Sequence, residues 1–164
     1  MGYNTKMLNI IFDRFRIHYQ PLNRITLNES QLITNYNHLN NAIKEINITP
    51  VLKSNAYGHG LVHIAPIVDK LKPEFICVDS LAEANILKKL GIKSEILIMG
   101  TISEMSLQKK LPFQLTIVSL ESLQMIIQTQ KNAKVHIFID TGMNREGVKI
   151  DELTEVLAQI KKSS

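Results

Sequence analysis

A lysine stands at the end of a short apolar run. Ile48 to Leu52 leads into Lys53, and Tyr57, Gly58 and Gly60 follow within the segment KSNAYGHG. An ammonium group at the end of a buried strand is costly unless it is paired or deprotonated. A lysine that gives up its proton readily is the group that imine chemistry with an aldehyde cofactor needs. Two glycines let backbone come close to a bulky anion, and a tyrosine hydroxyl is a neutral donor for phosphate oxygens. Together, Lys53, Tyr57 and the flexible turn suggest a pyridoxal phosphate site. The plainer reading is a lysine snorkelling at a strand end beside an ordinary glycine turn.

A second chemically rich segment is IDTGMNREGV, where Arg145 lies in a turn opened by Gly142 and closed by Gly147. A planar guanidinium held at a strand end can pair with a carboxylate or a phenolate. The backbone amides around Met143 suit one oxygen of a carboxylate. The plainer reading pairs Asp140 with Arg145 locally. His59 and His63 are four apart, a metal-ligand spacing on a helix, but no acidic or cysteine partner accompanies them, so no metal site is expected. Cys77 is the single cysteine, which excludes an internal disulfide and reads as a small core residue.

The elements that must carry these turns follow a rhythm. After Arg24 to Leu27, Asn28 offers an N-cap with Gln31 three residues on, and Leu32, Ile33, Tyr36, Leu39, Ile43 and Ile46 form one helical stripe. Strands are predicted at Ile48–Leu52, Phe75–Val78, Glu95–Met99, Gln114–Val118 and Val135–Ile139. Helices are predicted over Leu61–Leu71, after the Ser80/Glu83 capping box, over Ser103–Leu111, after Ser119 and from Leu153. Pro66 must lie near the first turn of its helix or kink it. Strands of two-sided apolar character alternating with helices at about 20-residue intervals indicate parallel βα units. Five such units fit an open doubly wound sheet and a (β/α)₈ barrel alike. In both, functional residues gather where strands end, which puts the Lys53 and Arg145 turns on one rim.

Both segments resemble alanine racemases. KSNAYGHG is similar to that family's cofactor-lysine motif, and DTGMNR to its aspartate-threonine-glycine-methionine-x-arginine run. The two stand about 90 residues apart in the right order, and the resemblance covers roughly residues 22 to 160. It implies a barrel rather than an open sheet. The expected fold is therefore α/β, a partial (β/α)₈ TIM-type barrel of about five units over residues 22–164, without the family's C-terminal β-domain. Residues 1–21 form an expected N-terminal extension, with Leu8, Ile11, Phe12 and Phe15 at helical spacing as a short docking helix.

By matched position, the resemblance implies that Lys53 forms the imine with pyridoxal phosphate and acts as base on the α-carbon of the D-enantiomer. Tyr57 would donate to the phosphate. Arg145 would approach the cofactor's phenolic oxygen and the substrate carboxylate, aided by the Met143 amide. The parent reaction interconverts L- and D-alanine. Two positions depart from the pattern: Phe138 stands where many relatives carry a modified lysine that positions the arginine, and Asn144 where a glycine is usual.

The family's second base, a tyrosine, lies in parts that follow the fifth unit, and nothing in Asp151 to Ser164 matches them. The expectation is a chain that racemises weakly or not at all by itself. Alternatives are a non-catalytic cofactor-binding or split-enzyme module completed by a second chain, and a racemase of serine or of a broader amino-acid range. Open barrel edges invite a homo-oligomer or a complementary fragment.

Composition narrows the remaining classes. The 164 residues are 45% hydrophobic, and 19 basic against 15 acidic residues give a net charge of +4. The basic residues are spread along the chain without interleaved aromatics, so no nucleic-acid partner is expected. No apolar run approaches the roughly 20 residues that span a bilayer, and MLNIIF is followed at once by Asp13 and Arg14 without a cleavage site. A cytoplasmic setting, with no membrane partner, is the expectation.

Overall fold

The first helix among the described residues starts where the Asn28 side chain satisfies an otherwise unpaired backbone amide. Its Oδ1 accepts from the Gln31 amide at 3.0 Å, capping α1 (Glu29–Ala42). Only half of the expected capping box forms, since the Gln31 side chain donates instead to Asn35 Oδ1 at 2.8 Å. The structure, a computed structural model, describes residues 22, 24–43 and 45–163. The expected N-terminal extension, residues 1–21, lies outside the described residues.

The elements then run α2 (Leu61–Asp69), β1 (Phe75–Val78), α3 (Leu81–Lys89), β2 (Glu95–Ile98), α4 (Glu104–Leu107), β3 (Gln114–Ile117), α5 (Leu120–Thr129), β4 (Val135–Ile137) and α6 (Leu153–Ser163). The four strands of the described residues are all parallel, in the order β1-β2-β3-β4, with Phe75 opposite Glu95 and Thr116 opposite His136. Parallel neighbours joined through a helix at each step are repeated βα units. Pro66 lies inside α2 and the helix continues past it to Asp69.

The expected strand Ile48–Leu52 is reduced to one bridge, Val51 to Cys77. Pro50 accepts from the Cys77 amide at 2.9 Å, and Leu52 donates to the Cys77 carbonyl at 2.8 Å. Proline has no N–H to extend this ladder, and beyond Leu52 the chain leaves the sheet. At the other edge β4 stops at Ile137, and Ile139 instead bridges Val148 as the chain folds back.

The two faces of the sheet differ. Ile76, Val78, Ile96, Ile98, Leu115 and Ile117 pack with Leu87, Leu107, Leu123 and Val156 from the helices in one apolar cluster. Each fully buried Ile or Leu there contributes about 1.5–3 kcal/mol. Strand alternation turns their neighbours to the opposite face. Cys77 and Leu97, paired in register, lie there outside the cluster, with buried Gln114 and Thr116. This face is polar at the strand starts: Gln114 donates to Glu95, Lys134 pairs with Glu95, and His136 Nε2 meets Gln114 Oε1 at 2.6 Å. The two-sided apolar strands expected from sequence are thus apolar mainly toward the helices.

Candidate functional site

Beyond Leu52 the backbone turns left-handed. Ser54, Asn55 and Ala56 have φ of 53° to 56° with ψ of 46° to 49°, and Tyr57 follows at φ 52°. After Lys53, the four residues Ser54–Tyr57 therefore carry a left-handed helical turn, which ends at Gly58 with φ 86°. For L-residues this backbone costs roughly 1–2 kcal/mol per residue. Several contacts offset the cost. Ala56 is buried and its amide donates to Leu52 at 2.9 Å. The Asn55 carbonyl accepts from Gly60 at 2.9 Å, and Asn55 Oδ1 caps α2 by accepting from the Leu61 amide at 2.8 Å.

Lys53 emerges from this turn with its side chain 30% exposed. Its Nζ lies 3.8 Å from Asp79 Oδ1, just past the end of β1. That distance is an ion pair and exceeds a hydrogen bond, so the amine is charge-partnered yet open to a reactant. Tyr57 is exposed at 62%, and its hydroxyl makes no hydrogen bond among the described residues. Glu83 on α3 joins the two segments. Its Oε1 accepts from the Asn55 amide at 3.0 Å and its Oε2 from the Asp79 amide at 3.1 Å.

Asp79 and Glu83 are the site residues that sequence reasoning missed. The Ser80/Glu83 spacing did single out Glu83, and Ser80 Oγ does accept from the Glu83 amide at 3.3 Å. The carboxylate, however, reaches 28 residues back along the chain to the Lys53 turn.

The Arg145 turn is built differently. The Asp140 carboxylate accepts from the Gly142 amide at 3.0 Å and from the Asn144 amide at 3.1 Å. The amides of Gly142 and Asn144, with Met143 adding to them, hold this carboxyl below the usual aspartate range. Asp140 is thus committed to backbone, and among the described residues it forms no ion pair with Arg145. Met143 and Arg145 are exposed. Asn144 sits at φ 55°, which explains a position where glycine is usual: asparagine tolerates left-handed backbone. Phe138 packs against Gly147, where a Cβ would come within 2.8 Å of the ring and 2.7 Å of the Asp140 nitrogen.

The Lys53 turn follows the Val51 bridge and the Arg145 turn follows β4, so both lie on the expected rim where the chain leaves the sheet. They sit at opposite edges of the curved sheet, four strand positions apart. No hydrogen bond or ion pair joins them among the described residues. His59 and His63 are exposed, and no group of three metal-ligating side chains occurs among the described residues. Cys77 is buried, and burial pushes its thiol up to about 11. No helix of the described residues is long and apolar enough to cross a membrane.

The family model for the alanine racemase N-terminal domain matches residues 27–164. The chain belongs to the alanine racemase family. It is 33% identical to an alanine racemase of Borreliella burgdorferi over 145 residues, covering 85% of this chain and 39% of the relative. The structure is similar to alanine racemase from Clostridium difficile 630, with a TM-score of 0.75 and 31% identity over 82% of this chain and 37% of that one. A histidine racemase from Leuconostoc mesenteroides subsp. sake shares the fold, with a TM-score of 0.72 and 23% identity over 83% of this chain and 38% of that one. The chain thus spans about two fifths of the length of the curated relative it matches. Its α/β fold is a partial (β/α)₈ barrel corresponding to the N-terminal barrel domain of this family.

Proposed function

We propose that Lys53 and Tyr57 hold pyridoxal phosphate and that the chain serves the interconversion of L- and D-alanine. One observation carries the reading: a partly exposed lysine amine on a preorganised turn at the strand-end rim, four residues before an exposed, unengaged phenol. The residues fit the cofactor. An amine with only a 3.8 Å ion-pair contact can take an aldehyde carbon, and a free phenolic hydroxyl can donate to a phosphate oxygen. Family membership supports the same assignment.

Pyridoxal phosphate, when bound, supplies the electron sink that makes a substrate α-proton removable. Lys53 would hold the cofactor through its amine and would take or return the proton at the substrate α-carbon on its own face. Tyr57 orients the phosphate end. Arg145 would bind the substrate carboxylate near the cofactor's phenolic oxygen, with the Met143 amide as a further donor. Asp79 is the only carboxylate within ion-pair distance of Lys53 among the described residues.

These 164 residues, tested by themselves, are expected to racemise weakly, since a proton must also be exchanged on the opposite face. The second reading is a cofactor-binding module completed by another chain. Among the described residues no strand pairs with the outer edge of β4, an edge to which a further strand, of this chain or another, can add. A cytoplasmic setting and assembly as a homo-oligomer belong to the main proposal. A racemase of serine or of a broader amino-acid range is a further alternative to it.

The test is incubation with pyridoxal phosphate, borohydride reduction and peptide mapping. The expected result is a pyridoxyl label concentrated on Lys53 and absent from Lys53→Ala. Label spread evenly over surface lysines would refute the reading.

A further inference from the structure

We infer that Glu83 is a positioning residue for Lys53: its carboxylate, shared between the Asn55 and Asp79 amides, sets where the left-handed turn stands relative to the end of β1. The inference rests on the reading of Lys53 as the cofactor lysine. In the turn, the first bond of helical spacing runs from the Ala56 amide to the Leu52 carbonyl. The Asn55 amide therefore precedes the first internal partner, as N–H groups at the start of any helix do. Glu83 Oε1 supplies the missing acceptor at 3.0 Å.

The other oxygen works on the opposite member of the Lys53–Asp79 pair. Asp79 follows the last β1–β2 register pair, Val78 with Ile98. Its carbonyl accepts from Gly100 at 3.0 Å, so closely that a Cβ on Gly100 would meet it at 2.4 Å. Its amide donates to Glu83 Oε2 at 3.1 Å. Asp79 is thus fixed on one side by the neighbouring strand and on the other by Glu83. One carboxylate anchors the backbone on both sides of the ion pair without touching the amine.

Glutamate is the residue for this task, because it offers two acceptors and no donor. Glutamine keeps one acceptor and turns an NH₂ toward one of the two amides. The base of the helix is pinned by Ser80 Oγ, so the side chain starts from a fixed point.

Glu83→Gln separates this role from general stability when set beside Asp69→Asn. Asp69 is also a carboxylate that accepts backbone amides, those of Lys93 and Ser94, but at the start of β2 and away from the Lys53 turn. In Glu83→Gln, amide exchange at Asn55, at Asp79 or at both is expected to quicken about tenfold, as for loss of a hydrogen bond to a charged acceptor, with Ile98 and Ile117 unchanged. Reductive pyridoxyl labelling of Lys53 is expected to fall about fivefold or more in Glu83→Gln and to hold in Asp69→Asn.

Unchanged exchange at Asn55 and Asp79, or equal label loss in both variants, overturns the inference. Faster exchange with undiminished label overturns it too, reducing Glu83 to a structural cap. A wild-type chain that takes no label at Lys53 refutes the cofactor reading instead, and exchange alone then judges the clamp. If Glu83→Gln does not fold, Glu83→Asp, with both acceptors on a shorter arm, takes its place under the same two readouts.

Discussion

The Lys53 turn and the Arg145 turn occupy the same rim, yet they are held in opposite ways. Four consecutive non-glycine residues of the first adopt left-handed backbone, and the bonds that offset this come from Leu61 and Glu83 as well as from within the turn. The second is closed by its own first residue, with the Asp140 carboxylate gathering amides two and four residues ahead. A turn fastened by partners outside it has its backbone position set by the fold before any ligand arrives. A turn fastened by itself keeps its outward side chains, Met143 and Arg145, free to adjust. The difference matches the proposed roles: a covalent anchor must be placed in advance, whereas a carboxylate-binding arginine can close on its ligand.

The sharpest way to break this comparison is to delete each chemical group in turn. Lys53→Ala is expected to abolish the pyridoxyl label at this site. Arg145→Ala should weaken cofactor uptake by about tenfold at most, as for loss of one charge-assisted contact. An absorbance titration checks both, and equal loss would erase the distinction between anchor and adjustable arm.

Asn55→Ala tests the claim that tertiary bonds hold the first turn. It removes the cap on the Leu61 amide and places a less tolerant residue at φ 56°, so a loss of about 2 kcal/mol is expected from the denaturation midpoint.

Acid tests the second turn. Asp140 has a folded value below its ordinary 3.8, so its contribution is complete above 3.8 and is lost as pH falls through the lower folded value. The Gly142 and Asn144 amide signals should therefore shift together below that point, and Asp140→Asn should remove the transition. A transition that instead starts well above 3.8 would contradict the assignment. The smallest effect is expected for Asn144→Gly. The position already has left-handed backbone, so stability should change by no more than about 0.5 kcal/mol in the same midpoint assay.

Much of the frame was legible beforehand. The strands beginning at Phe75, Glu95, Gln114 and Val135 start where the apolar runs predict. The helix predicted after Ser119 begins there, with the Ser122 amide donating to the Ser119 hydroxyl at 3.2 Å. These features arise from side chains and backbone within a few residues of one another, which is the range over which pattern carries information. The reduction of Ile48–Leu52 to a bridge was readable in principle, because Pro50 lies within the run. The roles of Asp79 and Glu83 were not, since the bond from Glu83 to Asn55 spans 28 residues and leaves no periodic trace.

By itself, then, the amino-acid sequence determined the family, the βα repeat and the two segments that carry chemistry, because residue type and local spacing specify them. Only the tertiary structure decided the hand of the Lys53 turn and the carboxylates beside it. A left-handed run of L-residues is locally unfavourable. It persists because Glu83 and the start of α2, brought to it by the packed sheet, accept and supply the hydrogen bonds that offset its cost.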